Sequence, residues 1–309
     1  MDAVILRNYR PGDATAISRL FRKIYGDHYA HHQVYLPWMI NQNHAERRWH
    51  SLVAVEGKKV LGHASLCRDA GSHIAELALT VVDPQTRGQH IATQLGEQLL
   101  VHAQALGCRG VTIKQVTRHP YTQRMAATLG FQSTGLLPDY VPSPYGDPVP
   151  ETLVIGYKAI DGYHRPLPAL AWPSGCSELP SHLSQIFGIT EKPSKWPHPA
   201  VRFEHCRGRY DVVIGSLDGN LLAQLRQLPG HWRISLRLRL TSGFTTALAR
   251  LSAIGFLFTG LALDERGSGW MALLHRGHPR RRLQLQCPHM QRLHDQRRQP
   301  AESALLDPP

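Results

Sequence analysis

Apolar residues recur along the first 160 positions at two periods, and their alternation lays out a mixed chain. Val4-Ile-Leu-Arg-Asn8 is a short strand candidate, and Pro11-Gly-Asp13 then opens an amphipathic helix with Ile17, Leu20, Phe21 and Ile24 on one face. Tyr35 to Trp49 predicts a second helix. Ser51–Glu56 and Val60–Leu66 predict two strands joined by the turn Gly57-Lys-Lys59. Ile74 to Val82 is a fourth strand with Glu76 as its only charge, and after a Pro-bearing turn Ile91, Leu95 and Leu99 mark one face of a helix. Arg109–Thr117 is the next strand. Pro120 starts a helix that Leu129-Gly130-Phe131 closes, and Phe131–Leu137 and Glu151–Ile160 complete the set around the loop Pro138–Pro150. Strands and helices in this order predict the α/β (α+β) class, a mixed sheet flanked by helices.

The second half repeats the first weakly. Gly162–Gly175, with Pro166, Pro168 and Pro173, reads as a linker. Gly130-Phe-Gln-Ser-Thr-Gly-Leu136 then returns as Gly255-Phe-Leu-Phe-Thr-Gly-Leu261, each copy preceded by an Ala-rich helix (Met125–Leu129; Thr245–Ile254) and, further back, by a strand (Val111–Thr117; Arg233–Leu240). Thr152–Lys158 and Gly269–His275 follow the two copies as strands. Tyr210–Ile214 and Asn220–Leu225 would be the strand and helix matching Ile74–Val82 and its successor. The domains expected are therefore 1–161, a linker at 162–175, a second domain at 176–276 and a mobile basic tail at 277–309. That tail carries Arg280-Arg-Arg282 and Arg297-Arg298 with few apolar anchors.

Composition narrows the setting more than the chemistry. Residues 1–165 carry 17 Lys and Arg against 13 Asp and Glu, and residues 166–309 carry 18 against 10, so the positive excess sits in the second half. Such a balance favours anionic partners, among them nucleic acid, but the tail lacks the aromatic side chains on which bases stack. Five scattered cysteines without a Cys-x-x-Cys argue against a disulfide framework or a zinc ribbon. His28, His31 and His32 lack a ligand partner at defined spacing and read as a solvated loop. With no signal-peptide apolar core, and with its longest apolar run, Leu251–Leu263, too short for a bilayer, the chain reads as cytoplasmic.

The candidate chemistry lies where strand 74–82 turns into the helix from Ile91. Unpaired amides and partial positive charge at a helix start suit phosphate, yet this turn has neither the Lys-Ser/Thr ending of a P-loop nor Gly-x-Gly-x-x-Gly. Gln85-Thr-Arg87-Gly88-Gln89-His90, followed by Ile91-Ala92, instead resembles motif A of the GNAT superfamily of N-acetyltransferases, Gln/Arg-x-x-Gly-x-Gly/Ala. His90 departs from it, standing where the family has Gly or Ala and where a side chain could crowd the phosphates or donate to one. The resemblance implies a mostly antiparallel sheet and acetyl-CoA as co-substrate. Its pyrophosphate would lie on the amides of Arg87, Gly88, Gln89, His90, Ile91 and Ala92, and its pantetheine along the backbone of Leu79, Thr80, Val81 and Val82.

Ala75-Glu76-Leu77 resembles the Ala-Glu-Ile of histone acetyltransferases in this superfamily. That makes Glu76 the candidate general base, with a pKa expected to rise among apolar neighbours. His119 to Phe131 resembles motif B, with His119 near the family's Asn and Ala126 in place of the Tyr that protonates the leaving thiolate. Tyr121 or His119 would then supply that proton. Together these imply acetyl or short-acyl transfer from acetyl-CoA to an amine, with a second, degenerate GNAT-like half that lacks phosphate chemistry. Tandem arrangements of that kind are known in the superfamily. A non-catalytic binding module and a nucleic-acid-associated protein remain the alternatives. The acceptor and the oligomeric state are not written in the sequence.

Overall fold

A computed structural model describes residues 3–191, 201–206, 208–264 and 269–298. They divide into two compact units, the first Met1–Gln132 with Asp139–Tyr163, the second Ser133–Pro138 with His164–Pro309.

In the first unit β1 (Ile5–Asn8), α1 (Ala14–Tyr25) and α2 (Pro37–Ala45) precede the hairpin of β2 (Trp49–Glu56) and β3 (Lys59–Cys67). Then come β4 (Ile74–Val82), α3 (Ile91–Ala105), β5 (Gly110–Val116), α4 (Tyr121–Thr128) and β7 (Glu151–Ala159); β6 (Gln132–Val141), between α4 and β7, has its residues 133–138 in the second unit. Strands pair in the order β1-β2-β3-β4-β5-β7, antiparallel throughout except for the β4–β5 pair that α3 connects. The expected second helix is shorter than its apolar pattern. Pro37 fixes its first turn, and Arg48 N–H donating back to Asn43 O closes it, so that Trp49 already belongs to β2.

Both faces of this sheet are covered. On one, Ile91, Leu95 and Leu99 of α3 and Met125 of α4 pack against Leu66, Leu77 and Ile113; on the other, Ile17 and Phe21 of α1 pack against Val53, Leu79 and Val81. Strict alternation would put Leu77 and Leu79 on the same face. They lie on opposite faces because β4 bulges: Ser65 pairs with Ala78 but His63 with Val81, and Leu79 takes φ +54 to absorb the extra residue.

The second unit holds β8 (Leu167–Pro168), α5 (Glu178–Phe187), β9 (Ile189–Thr190), β10 (Val201–Cys206), β11 (Arg209–Ile214), α6 (Gly219–Gln227), β12 (Ile234–Arg239), α7 (Phe244–Ala253), β13 (Leu257–Leu263), β14 (Trp270–Arg276) and α8 (Pro288–Arg298). β10 is antiparallel to β11, β11 is parallel to β12 across α6, and β12 is antiparallel to β14, as β3, β4, β5 and β7 are joined through α3. The repeated heptapeptides meet here, Gly260 pairing with Gly135 and Thr259 Oγ1 donating to Leu136 O at 3.0 Å. Only glycine fits: a Cβ on Gly260, whose φ is +120, would stand 2.4 Å from Thr134 O.

Two stretches are more ordered than their composition implies. The expected linker packs within the second unit, with Leu167 fully buried, β8 paired to β9 and Trp270 Nε1 donating to Arg165 O at 2.9 Å. Where a mobile tail was expected, residues 288–298 form α8. Met290 and Leu293, three apart, are buried, and His289 and Arg292 hold Glu178 of α5; two apolar anchors and one carboxylate suffice to dock an otherwise basic helix. The end of the expected tail, 299–309, lies outside the described residues.

Candidate active site

The site forms where β4 and β5 stop pairing. Their parallel register runs from Ile74↔Gly110 to Leu77↔Ile113 and ends there, although β4 continues to Val82 and β5 to Val116. From Ala78 to Val82 the β4 backbone keeps β3 on one side and has no β5 partner on the other, so Leu79, Thr80, Val81 and Val82 border an opening. His63 of β3 holds the bulge at its mouth. Its Nδ1 donates to Leu79 O at 2.9 Å, its ring meets Phe21 edge-on, and its Nε2 is buried with no partner among the described residues. Burial pushes this imidazole down to about 4, so it is neutral at physiological pH.

β4 then runs into the turn Asp83–His90. The buried Asp83 carboxylate accepts from Gln85 N at 3.1 Å and from Lys23 Nζ of α1 at 2.8 Å, which ties the turn to the helix above it; the Lys23 bond holds the carboxyl below its ordinary range. Gly88 has φ +86 and His90 φ +58, two left-handed residues that swing successive N–H groups outward. The amides of Gly88, Gln89, His90, Ile91, Ala92 and Thr93 find no acceptor among the described residues, and no side chain caps α3. His90 is exposed and sits in the conformation that Gly adopts most cheaply. Arg87 N is already used by Pro84 O, at 3.4 Å.

Glu76 lies in the paired part of β4, about a quarter exposed, with Lys114 Nζ of β5 at 2.6 Å. The carboxylate therefore has a cationic partner rather than the purely apolar neighbours its strand suggests. Across from it stands Cys67, whose thiol burial and the Glu76 charge push up to about 12. Tyr29 also feels the Glu76 charge; burial raises its phenol well above the ordinary value. Tyr29 stacks on Tyr25 at 4.9 Å, and Tyr25 meets Tyr145 of the β6–β7 loop at 5.9 Å. Arg118 lies over Tyr145 and binds Glu151 at 2.9 Å. The charge of Arg87 reaches both Tyr25 and His119, which brings the turn, the tyrosines and the start of α4 together.

His119 and Tyr121 adjoin each other with ring centres 5.2 Å apart. Burial, with Arg87 and Arg118 behind it, lowers the His119 pKa, and its Nδ1 is buried without a hydrogen-bond partner among the described residues. Tyr121 is 70% exposed. Ala126 is buried in the core under α4, so no side chain of that helix turn replaces the phenol the motif would carry. Tyr25, Tyr29, Tyr145 and Lys114 escape the sequence reading. The one hint is the loop Pro138–Pro150, long enough to face a substrate.

Residues 14–131 match the family model for the acetyltransferase (GNAT) family. That match lies wholly within the first unit. No curated protein matches the chain. Among solved structures it is similar to an N-acetyltransferase from Staphylococcus aureus Mu50 (18% identity, 52% of this chain and 100% of that one, TM-score 0.46). It is also similar to a ribosomal-protein-S5-alanine acetyltransferase from Vibrio fischeri (16%, 53% and 96%, TM-score 0.45). A third is a GNAT-superfamily phosphinothricin acetyltransferase from Sinorhizobium meliloti in complex with AcCoA (18%, 52% and 90%, TM-score 0.45). Among the described residues no helix of this chain is long and apolar enough to cross a membrane.

Proposed function

We propose that the first unit transfers an acetyl or short acyl group from acetyl-CoA to an amine. The observation that carries this is the run of acceptor-free amides from Gly88 to Thr93 at the head of α3, beside an opening in the sheet. Those amides and the helix dipole would hold the diphosphate, and the free edge of Leu79–Val82 the pantetheine, while acetyl-CoA supplies a thioester carbonyl as electrophile.

An aliphatic amine with pKa about 10 is almost wholly protonated at neutral pH and cannot attack. Glu76 would take its proton, directly or through water, with Lys114 holding the carboxylate in place and the Tyr25–Tyr29–Tyr145 wall lining the approach of a cation. As the C–N bond forms and the C–S bond breaks, the thiolate needs a proton. His119 is kept neutral by burial and two arginines, which leaves the Tyr121 phenol as the donor.

In the second unit a carboxylate occupies the equivalent helix head: Asp218 Oδ1 accepts from Leu221 N at 2.7 Å and would repel a phosphate there. With its repeated strand order this supports reading the second unit as a degenerate GNAT-like copy, without cofactor chemistry of its own.

The test is acetyl-CoA titration by calorimetry followed by free-thiol release across a panel of amines. Glu76→Gln is expected to cut turnover by about 10²-fold or more while coenzyme affinity stays within threefold. Equal turnover removes Glu76 from the role. The buried Ala126 favours a binding module as the second reading, and heat on binding without thiol release from any amine would select it.

A further inference from the structure

The first unit contains a cavity at the other end of α3 from the Gly88–His90 turn. It measures about 710 Å³, within the range of small-molecule sites, and lies among the ends of α2, β2, β3 and α3. With 15 residues of α3 at 1.5 Å rise between them, cavity and turn are separated by about 20 Å. Arg47, Arg48, Arg68, His44 and His50 line it, and no Asp or Glu does. Glu46, just outside, is taken by Arg48 at 2.6 Å. Arg68 donates to Leu106 O at 3.0 Å, answering the negative end of α3. His50 is hydrogen-bonded to His102 at 2.8 Å, and burial first, then His102 and Arg68, lowers its pKa. The Arg47 guanidinium has no partner among the described residues.

Arg47 is also where the backbone is strained. It is the left-handed residue ending α2, with φ +56, at the position of a Schellman turn that glycine or asparagine fills most cheaply. A long cation held there against its conformational preference, at the rim of an apolar cavity, serves the cavity better than the helix. The walls are flat as well as basic. Tyr9 stacks on His44 at 3.7 Å, Trp49 stands edge-on to His44, and Leu66 and Leu106 add apolar surface.

We infer that this cavity binds a small organic anion, a carboxylate or phosphate carried on a flat unsaturated body, with Arg47 as the principal contact. The full-length protein is titrated calorimetrically with benzoate, 4-nitrophenyl phosphate and the neutral benzamide. At least one anion should bind, benzamide at least tenfold more weakly, and the stronger of the two anions identifies the oxyanion. Arg47→Gly should weaken that anion at least tenfold without lowering the melting temperature, since glycine relieves the strained φ; Arg47→Asn, which also tolerates it, should do the same. Absence of heat with both anions, equal binding of benzamide, or unchanged affinity in both variants overturns the proposal. Displacement of the probe by free coenzyme A overturns it too, because the anion would then lie at the Gly88–His90 turn.

Discussion

His63 should make the first unit acid-sensitive, by an amount its surroundings set. The imidazole is fully buried, donates from Nδ1 to the bulge carbonyl of Leu79 and leaves Nε2 without a partner among the described residues, so a proton there would be a poorly compensated charge in the core. Its pKa falls from 6.5 to about 4 on folding. The unfolded chain therefore binds this proton first. Stability from His63 is complete above pH 6.5 and drains away between pH 6.5 and 4. Linkage over that interval gives a loss of about 2 kcal/mol at pH 5 and about 3 kcal/mol at pH 4 relative to neutral pH. Asn places an amide nitrogen near where the Nδ1 donor stands but does not titrate. His63→Asn should thus be less stable than wild type at pH 7, by roughly 1–3 kcal/mol for the lost ring packing, and the gap should close as pH falls. Urea unfolding of both proteins at pH 7, 6, 5 and 4.5, followed by tryptophan fluorescence, measures the difference directly. Parallel stability curves for the two proteins across that range would refute the argument, since every other titrating group is common to both.

Two further predictions concern the scaffold. Asp83→Ala removes the carboxylate that caps the turn after β4 and receives Lys23, and should cost about 2 kcal/mol, a cap of about 1 plus a half-exposed charge-assisted bond. Because the folded pKa of Asp83 is depressed, its contribution is present above the unfolded value near ~3.9 and lost below it, so the variant should approach wild type in acid and bind acetyl-CoA more weakly at neutral pH; equal thermal midpoints at pH 7 would contradict this. Gly260→Ala puts a Cβ against Thr134 O in a backbone conformation closed to alanine, and should lower stability by at least about 3 kcal/mol. A melting temperature within a degree of wild type would contradict the Gly135–Gly260 register.

What could be read from the sequence is what local physics encodes. The strand–turn–helix junction is visible because strand period, proline, glycine and helix period follow one another within about twenty residues, and β4 is found at Ile74–Val82, where its apolar run puts it. The basic tail misleads for the complementary reason. Charge dominates its composition, whereas docking of α8 depends on Met290 and Leu293 and on a carboxylate 111 residues away in sequence from His289. The bulge lies beyond reach as well, because Leu79 looks like any strand residue until its partner strand is known. Its consequence is large: by shifting the pleat by one residue it turns Leu79 and Val81 toward α1 while Leu77 stays under α3. That reversal falls in the stretch of β4 that β5 no longer pairs, and Glu76, just before it, lies where Tyr29, from a different stretch of chain, feels its charge. The tyrosines escape notice because nothing in their spacing relates them to Glu76; only the closure of α1 and the β6–β7 loop over one sheet face does.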